Sequence, residues 1–307
     1  MEKKGSLTLN LPTLKKTNGE ISTKNSAKPP KTFSFSRQKG LDLVLIGDFT
    51  HSMEAYRETL RRKFKELCST LMKVIPNIRI GIIFYLDHGA FSSADCYDPE
   101  QNPYITRTRS LCTDVDSLKS FIDDTEIGNG IDFDEAVEDA LHAALNMNWS
   151  ENNAHSIVLF GDARPHEPED CDSGYDYFKI TESLYRHKTT INTVYCDTDV
   201  DYKSLSSLYE VDIGDFSKRV SRLDHPEFFS WIANVTGGVA IGVEQIDDLV
   251  DIIKAMAAKD AGKIDELEKE EKKIANRPLS ALEHIKKRAV QIEKKKKALG
   301  IGYSEEK

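Results

Sequence analysis

The sequence lacks the features of a membrane or disulfide-rich protein. No apolar run approaches the roughly 18 residues that cross a bilayer, and the first thirty residues lack the apolar core of a secretory signal. We therefore expect a cytoplasmic protein that does not bind membranes. The five cysteines are odd in number and form no CxxC pair, which disfavours a disulfide framework or a zinc knuckle. We expect them to be reduced and structural: Cys68, Cys96, Cys112, Cys171 and Cys196.

The net charge of -9 is distributed unevenly along the chain. Residues 1–38 carry 8 Lys and Arg against 2 Asp and Glu, and residues 259–307 carry 14 against 10. The remaining residues, 39–258, carry 20 basic against 39 acidic side chains. Such an acidic body repels nucleic-acid phosphates and anionic lipids, and attracts cations and basic partner surfaces. Nucleic-acid binding by the core is therefore disfavoured.

Composition divides the chain into three segments. Residues 1–38 contain too few apolar residues to offset the entropy of ordering them, so we predict a disordered basic arm. Residues 39–258 form the predicted domain. Residues 259–307 are charged and helix-prone, and Pro278 suits the first turn of a second helix. This charged helical tail is either solvated or a hairpin that binds a partner.

Strand and helix patterns alternate within the predicted domain. Five short runs are apolar nearly throughout, as strands covered on both faces are: residues 41–47, 78–86, 156–161, 191–196 and 238–243. Between them, apolar residues recur at steps of three and four in two stripes: Met53, Tyr56, Leu60, Phe64, Leu67, Leu71 and Val74, then Val137, Ala140, Leu141, Ala144 and Leu145. This alternation predicts a doubly wound α/β fold with a mostly parallel sheet and helices on both faces.

The loop after the first predicted strand carries possible metal ligands. Asp48, Thr50 and Ser52 stand at every second residue, so their side chains can converge on one point. Carboxylate and hydroxyl oxygens suit Mg²⁺ or Mn²⁺ better than metals that prefer thiolate or imidazole. This loop alone is weak evidence for a metal site, because Ser52 would serve equally well as a helix N-cap.

Two further carboxylates fall where loops should meet the same sheet edge. Asp132 lies in a glycine-rich turn before the second amphipathic helix, and Asp162 directly follows the strand that ends at Gly161. Ligand sites of such sheets form at the carboxyl ends of the strands. Two unit charges about 4 Å apart repel by roughly 4 kcal/mol at an effective dielectric of 20. A cation bound between the carboxylates would remove that repulsion. The alternative interpretation is that no metal binds and that each acid is a separate helix cap or turn residue.

On these residues the chain resembles the von Willebrand factor A domains and their metal-ion-dependent adhesion site. The resemblance covers roughly residues 40–257, and the segments DEAVEDALHAALNMNW, GDARPH, YLDH and FFSWIANVTGG are similar to the bacterial and alpha-kinase-associated branch. It implies a Rossmann-like fold and a divalent cation, Mg²⁺ or else Mn²⁺ or Ca²⁺. The implied ligands are Asp48, Thr50, Ser52, Asp132 and Asp162, with Asp162 acting through water or through another ligand.

Other polar residues are expected beside this site. His51 stands where that branch usually has Gly, and Arg164 replaces a more usual Pro or Ala. We expect five residues at the rim or hydrogen-bonded to the ligands: His51, Asp87, His88, Arg164 and His166. A zinc hydrolase built on the histidines is a weaker alternative, because no HExxH motif occurs. Residues 92–110 and 199–222 are predicted to be loops that cover the rim.

The resemblance implies binding rather than catalysis. In this family the cation keeps an open coordination position, which a carboxylate of a protein partner fills. A second hypothesis is an adaptor for a co-encoded ATPase or kinase that docks on the basic tails. A magnesium-dependent phosphohydrolase is disfavoured, because such enzymes need a second Asp where Thr50 stands.

Overall fold

The computed structural model describes residues 40–88, 103–130, 133–197, 203–243, 245–275 and 280–301. The predicted arm, residues 1–38, and the predicted ligand Asp132 lie outside the described residues. Within the described part of the chain, no helix is long and apolar enough to cross a membrane.

Six strands form one sheet in the order β3-β2-β1-β4-β5-β6. All neighbouring pairs are parallel except β2 and β3, which are antiparallel. The strand bounds are Gly40–Asp48 (β1), Ile78–Tyr85 (β2), Thr106–Cys112 (β3), Asn153–Gly161 (β4), Thr189–Tyr195 (β5) and Ala240–Gly242 (β6). The five apolar runs correspond to β1, β2, β4, β5 and β6, which confirms the predicted mostly parallel sheet.

Eight helices in the described residues surround the sheet. They span Glu54–Val74 (α1), Val115–Asp123 (α2), Val137–Leu145 (α3), Tyr177–Arg186 (α4), His225–Thr236 (α5), Leu249–Asp260 (α6), Ile264–Ala275 (α7) and Ser280–Ala298 (α8). Leu43 and Leu45 of β1 pack with α1, α2 and α6, while Val44 and Ile46 pack with α3, α4 and α5. Alternate residues of a strand point to opposite faces, so both faces of the sheet are covered, as predicted.

The edge strand β3 was not predicted. Its first five residues fall within 92–110, which we expected to be loop, so that expectation is wrong for residues 106–110. Three of its residues, Thr108, Arg109 and Ser110, are exposed, and Leu111 is buried. An antiparallel edge strand with one solvated face carries polar residues, so it lacks the continuous apolar run of a central strand.

The C-terminal helices α7 and α8 pack onto the domain. Their apolar residues join the core on the side of α1 and α6: Leu267, Ala281, Leu282, Ile285 and Ile292. At this junction the Lys254 side chain is 1% exposed. Its Nζ atom donates to carboxylates of Glu66, Asp251 and Glu271 at 3.0–3.1 Å. A buried ammonium group is tolerated only with such partners, so Lys254 ties α6 to α1 and α7.

Candidate functional site

Backbone hydrogen bonds fix the β1-α1 loop at the carboxyl edge of the sheet. The Phe49 N–H donates to the Tyr85 carbonyl, and the Gly128 N–H donates to the Phe49 carbonyl. Thr50 and Gly128 also form an isolated parallel bridge. The loop that precedes α3 therefore lies directly against the loop that carries Asp48, as the sequence predicted for two loops at the same edge.

The side chains of Asp48, Thr50 and Ser52 in the first loop lie close together. Asp48 Oδ1 accepts hydrogen bonds from the Thr50 N–H at 2.8 Å and from Thr50 Oγ1 at 2.7 Å. The Thr50 hydroxyl thus uses its one hydrogen on Asp48, which leaves its lone pairs free to accept. Ser52 Oγ lies 3.2 Å from Thr50 Oγ1. Two hydroxyl oxygens and one carboxylate therefore face a common point.

Asp162 lies beside Asp48. Asp48 is buried, and its Oδ2 atom receives no hydrogen bond from any residue that the structure describes. Burial and the neighbouring Asp162 carboxylate together raise the pKa of Asp48 to about 8. A buried acceptor without a donor is costly, and so is a second carboxylate next to it. Both costs disappear when a cation binds between the two groups.

The close approach of β4 to this carboxylate depends on Gly161. A Cβ atom at Gly161 would lie 2.5 Å from the Tyr85 hydroxyl, 3.1 Å from Asp48 Cβ and 3.4 Å from Asp48 Oδ2. The first distance is shorter than packed atoms tolerate and the second is tighter than usual, so a side chain here would require Tyr85 or Asp48 to shift. The Tyr85 hydroxyl is itself buried and has no hydrogen-bond partner among the described residues.

An open pocket of about 370 Å³ lies above the converging groups. Thr50, Ser52 and Asp162 line it together with His51, which is exposed. Four lining residues were missed by sequence reasoning: Asn129, Phe133, Glu135 and His225. Glu135 stands in the same acidic segment as Asp132. The sequence alone does not show which of these acidic side chains faces the pocket, because that depends on the path of the loop backbone. Phe133 is 87% exposed at the rim.

Arg164 is engaged in holding two loops together. Its guanidinium donates to Asp134 Oδ1 at 2.8 Å and Oδ2 at 2.9 Å, and to the Leu223 carbonyl at 3.1 Å. Its backbone N–H donates to His225 Nδ1 at 3.0 Å. This contact fixes the orientation of the His225 ring. Arg164 thus fixes the segment that carries Phe133 and Glu135, and orients one pocket histidine.

The predicted rim residues Asp87, His88 and His166 form a separate buried cluster with Glu138. His166 Nδ1 and His88 Nε2 each lie 2.9 Å from Glu138 Oε1, and His166 Nε2 lies 3.3 Å from Asp87 Oδ1. Burial lowers the pKa of His166, but hydrogen bonds to Asp87 and Glu138 outweigh it and raise that pKa to about 10. None of the four lines the 370 Å³ pocket.

The pocket residues Thr50, Ser52 and Asp162, together with the neighbouring buried Asp48, fit a hard divalent cation. Asp48 offers an unbonded buried oxygen, the two hydroxyls offer lone pairs, and Asp162 supplies a second negative charge. Oxygen ligands of this kind suit Mg²⁺, Mn²⁺ or Ca²⁺, and leave room for water or a partner oxygen.

No protein-family model and no curated protein matches the chain. Among solved structures, the chain is similar to several proteins, and each similarity covers about 70% of this chain. One is the conserved hypothetical protein BatB from Bacteroides thetaiotaomicron, with 15% identity over 73% of this chain and 100% of that one, at TM-score 0.46. Another is the SpRpn10 VWA domain, with 12% identity over 69% and 94%, at TM-score 0.44.

A third similar structure is proximal thread matrix protein 1 from the mussel byssus, described with a zinc-occupied MIDAS motif. It is 12% identical over 73% of this chain and 46% of that one, at TM-score 0.47. These are likenesses of fold. The class that the structure itself defines is a doubly wound α/β domain with an acidic, hydroxyl-lined pocket at the carboxyl edge of its sheet.

Proposed function

We propose that the chain is a metal-dependent protein-interaction module. Asp48, Thr50 and Ser52, with Asp132 and Asp162, hold one divalent cation, Mg²⁺ or else Mn²⁺ or Ca²⁺. An open coordination position of the cation accepts a carboxylate from an acidic residue of a partner protein. The supporting observation is the buried, unbonded Oδ2 atom of Asp48 beside Asp162, a carboxylate that lines an open pocket.

The surroundings of the pocket favour binding over catalysis. The cation would be needed for an acidic partner to approach, because residues 39–258 carry a large excess of acidic side chains. The exposed Phe133 ring lies at the rim, where a docked partner would cover it. Aromatic residues at the centre of an interface often carry much of the binding energy. The proposed interface therefore combines one metal–carboxylate bond with an apolar contact.

The test compares proteins retained on the immobilised chain in Mg²⁺ and in chelator. We expect a set of proteins retained only with Mg²⁺ and lost with Asp48→Ala. Phe133→Ala should weaken the same retention by about tenfold or more while the chain still binds Mg²⁺. The exposed Asp212 serves as a matched control, since Asp212→Ala removes a carboxylate outside the pocket. Retention that survives both chelator and Asp48→Ala would contradict the proposal.

A second candidate is an adaptor for an ATPase or kinase that docks on the basic tail. The observation that favours it is the run Lys294–Lys297 on α8, in which three of the four side chains are exposed. Deleting residues 259–307 is an unsuitable test, because it removes Leu267 and Ile285 from the core. Replacing Lys294, Lys295 and Lys297 by Glu instead reverses the charge of this run while the helix stays in place. Loss of partner retention with Mg²⁺ binding intact would support docking through the tail.

A further inference from the structure

A second group of metal-ligating side chains lies in the described residues, outside the pocket. His88 follows β2, Glu138 and Asp139 lie in the first turn of α3, and Cys171 lies in the connection between β4 and α4. One ligand atom from each of the four lies within 4.8 Å of each of the others. His88, Glu138 and Cys171 are buried, and the Asp139 side chain is 11% exposed.

The distances are close to those of a tetrahedral zinc site. His88 Nε2 lies 2.9 Å from Glu138 Oε1, 2.9 Å from Asp139 Oδ2 and 3.9 Å from Cys171 Sγ. With Zn–N and Zn–O near 2.0 Å and Zn–S near 2.3 Å, tetrahedral ligand atoms lie about 3.3–3.5 Å apart. Small side-chain shifts would therefore complete the site. One thiolate, one imidazole and two carboxylates form a ligand set that suits zinc.

Hydrogen bonding alone leaves this group unsatisfied. Three acceptors, two carboxylate oxygens and one sulfur, converge on His88 Nε2, which can carry only one hydrogen. Asp139 Oδ2 is buried and accepts no hydrogen bond from the described residues, although it lies 2.9 Å from that nitrogen. A cation between the four atoms would satisfy all of them.

Neighbouring groups already hold the ligands in place. His166 Nδ1 lies 2.9 Å from Glu138 Oε1, and the His166 N–H donates to Glu138 Oε2 at 3.2 Å. The Ser173 hydroxyl donates to Asp139 Oδ1 at 2.8 Å, and the Tyr175 N–H donates to Cys171 Sγ at 3.3 Å. Such outer contacts fix the orientation of metal ligands and tune their affinity.

We propose that His88, Glu138, Asp139 and Cys171 bind a structural zinc ion, separate from the cation of the pocket. Cys171 lies in residues 162–176, a long connection that contains no helix or strand. Ordered loops of this length are uncommon in compact domains and usually have a function. The zinc ion would fasten this connection to α3 and to the end of β2. It needs no contribution from the pocket residues, so the inference stands apart from the proposed function.

The experiment loads the chelator-stripped full chain with Co²⁺ as a spectroscopic substitute for zinc. We expect a thiolate-to-cobalt charge-transfer absorption band that saturates at about one Co²⁺ per chain in Asp48→Asn, in which the pocket cation is removed. Cys171→Ser should abolish the band, and Asp139→Asn should weaken binding by at least about tenfold. Cys112→Ser is the matched control for the thiol, since Cys112 is half-buried on β3, outside the four-residue group. Asp48→Asn is the control for the pocket, since it removes a ligand of the pocket cation. Both control variants should keep the band.

Zinc should also raise the thermal unfolding temperature of the metal-stripped wild-type chain. The increase should be much smaller for Cys171→Ser. Circular dichroism checks that each variant is folded before loading. A folded Asp139→Asn chain keeps the test decisive if Cys171→Ser fails to fold. The proposal is overturned if wild type shows no thiolate band, if the band survives Cys171→Ser, or if zinc leaves the unfolding temperature of wild type unchanged.

Discussion

Replacing Asp48 by Asn should stabilise the metal-free protein while abolishing cation binding. The pKa of Asp48 in the folded protein is about 8, against 3.8 for an unperturbed carboxyl group. The folded protein therefore binds more protons than the unfolded chain between about pH 4 and pH 8, so its stability falls as the pH rises through this window. Asparagine carries no charge at any pH and removes this loss.

The size of the effect follows from the pKa difference. At pH 7 Asp48 is ionised in the unfolded chain and largely protonated in the folded protein, and this proton uptake costs at most about 4 kcal/mol of stability, at 1.36 kcal/mol per pKa unit. Relaxation around the charge reduces this, and we expect a gain of about 1–3 kcal/mol for Asp48→Asn. At about 2–4 °C per kcal/mol, the unfolding temperature in chelator should rise by several degrees.

Urea unfolding in chelator at several pH values between 4 and 8.5 measures the gain. The free energy of unfolding of Asp48→Asn should exceed that of wild type most at high pH, and the difference should shrink toward pH 4. Mg²⁺ should stabilise wild type but not the variant. If Asp48→Asn is less stable than wild type in chelator at pH 8, the idea that the folded protein disfavours the ionised form of Asp48 is wrong.

Asp42 provides the matched control, because it lies on the same strand and is also fully buried. Burial raises its pKa, but hydrogen bonds from Arg79, Asn153 and the Ser150 N–H outweigh burial, so the pKa of Asp42 is lowered. Asp42→Asn should therefore destabilise the protein by about 2 kcal/mol or more at pH 7, the opposite sign. Stability from Asp42 is lost as the pH falls toward its folded-state pKa.

Three further changes test the packing. Gly161→Ala should unfold the edge of the sheet or cost more than about 2 kcal/mol, and abolish Mg²⁺ binding, because its methyl group would meet Tyr85 and Asp48; thermal unfolding and calorimetry measure both. Tyr85→Phe should leave stability unchanged or raise it by up to about 1 kcal/mol in urea unfolding, because it removes a buried hydroxyl without a hydrogen bond among the described residues. Lys254→Met should cost about 3 kcal/mol, because it leaves three carboxylates facing an apolar side chain.

Much of the fold was predictable because its central strands are buried on both faces. Runs such as residues 41–47 and 156–161 are apolar throughout, and the helix stripe from Met53 to Val74 is continuous. The edge strand β3 has no such pattern, because one of its faces meets solvent. Its pairing with β2 is set by backbone hydrogen bonds, which leave no periodic trace in a short polar sequence.

The closeness of the candidate site residues was predictable where they are adjacent in sequence or directly follow a strand. Asp48, Thr50 and Ser52 share one loop, and Asp162 follows a strand directly, so topology alone brings these residues to one edge. Glu135 and Phe133 could not be predicted as pocket residues from the sequence. Which residues of this loop face the pocket depends on the path of its backbone, which the sequence does not reveal. Cys171 could not be paired with His88, because the contact depends on how residues 162–176 fold back onto α3.

Titration of the full chain with Mn²⁺, followed by electron paramagnetic resonance, tests most directly whether distant carboxylates share one hard cation. The account predicts about one Mn²⁺ bound per chain, displaced by Mg²⁺, with affinity at least about tenfold weaker in Asp162→Asn and in Asp132→Asn and unchanged in Cys171→Ser. Mn²⁺ binding that is absent in wild type, or that is equally tight in both Asp variants, would contradict the account.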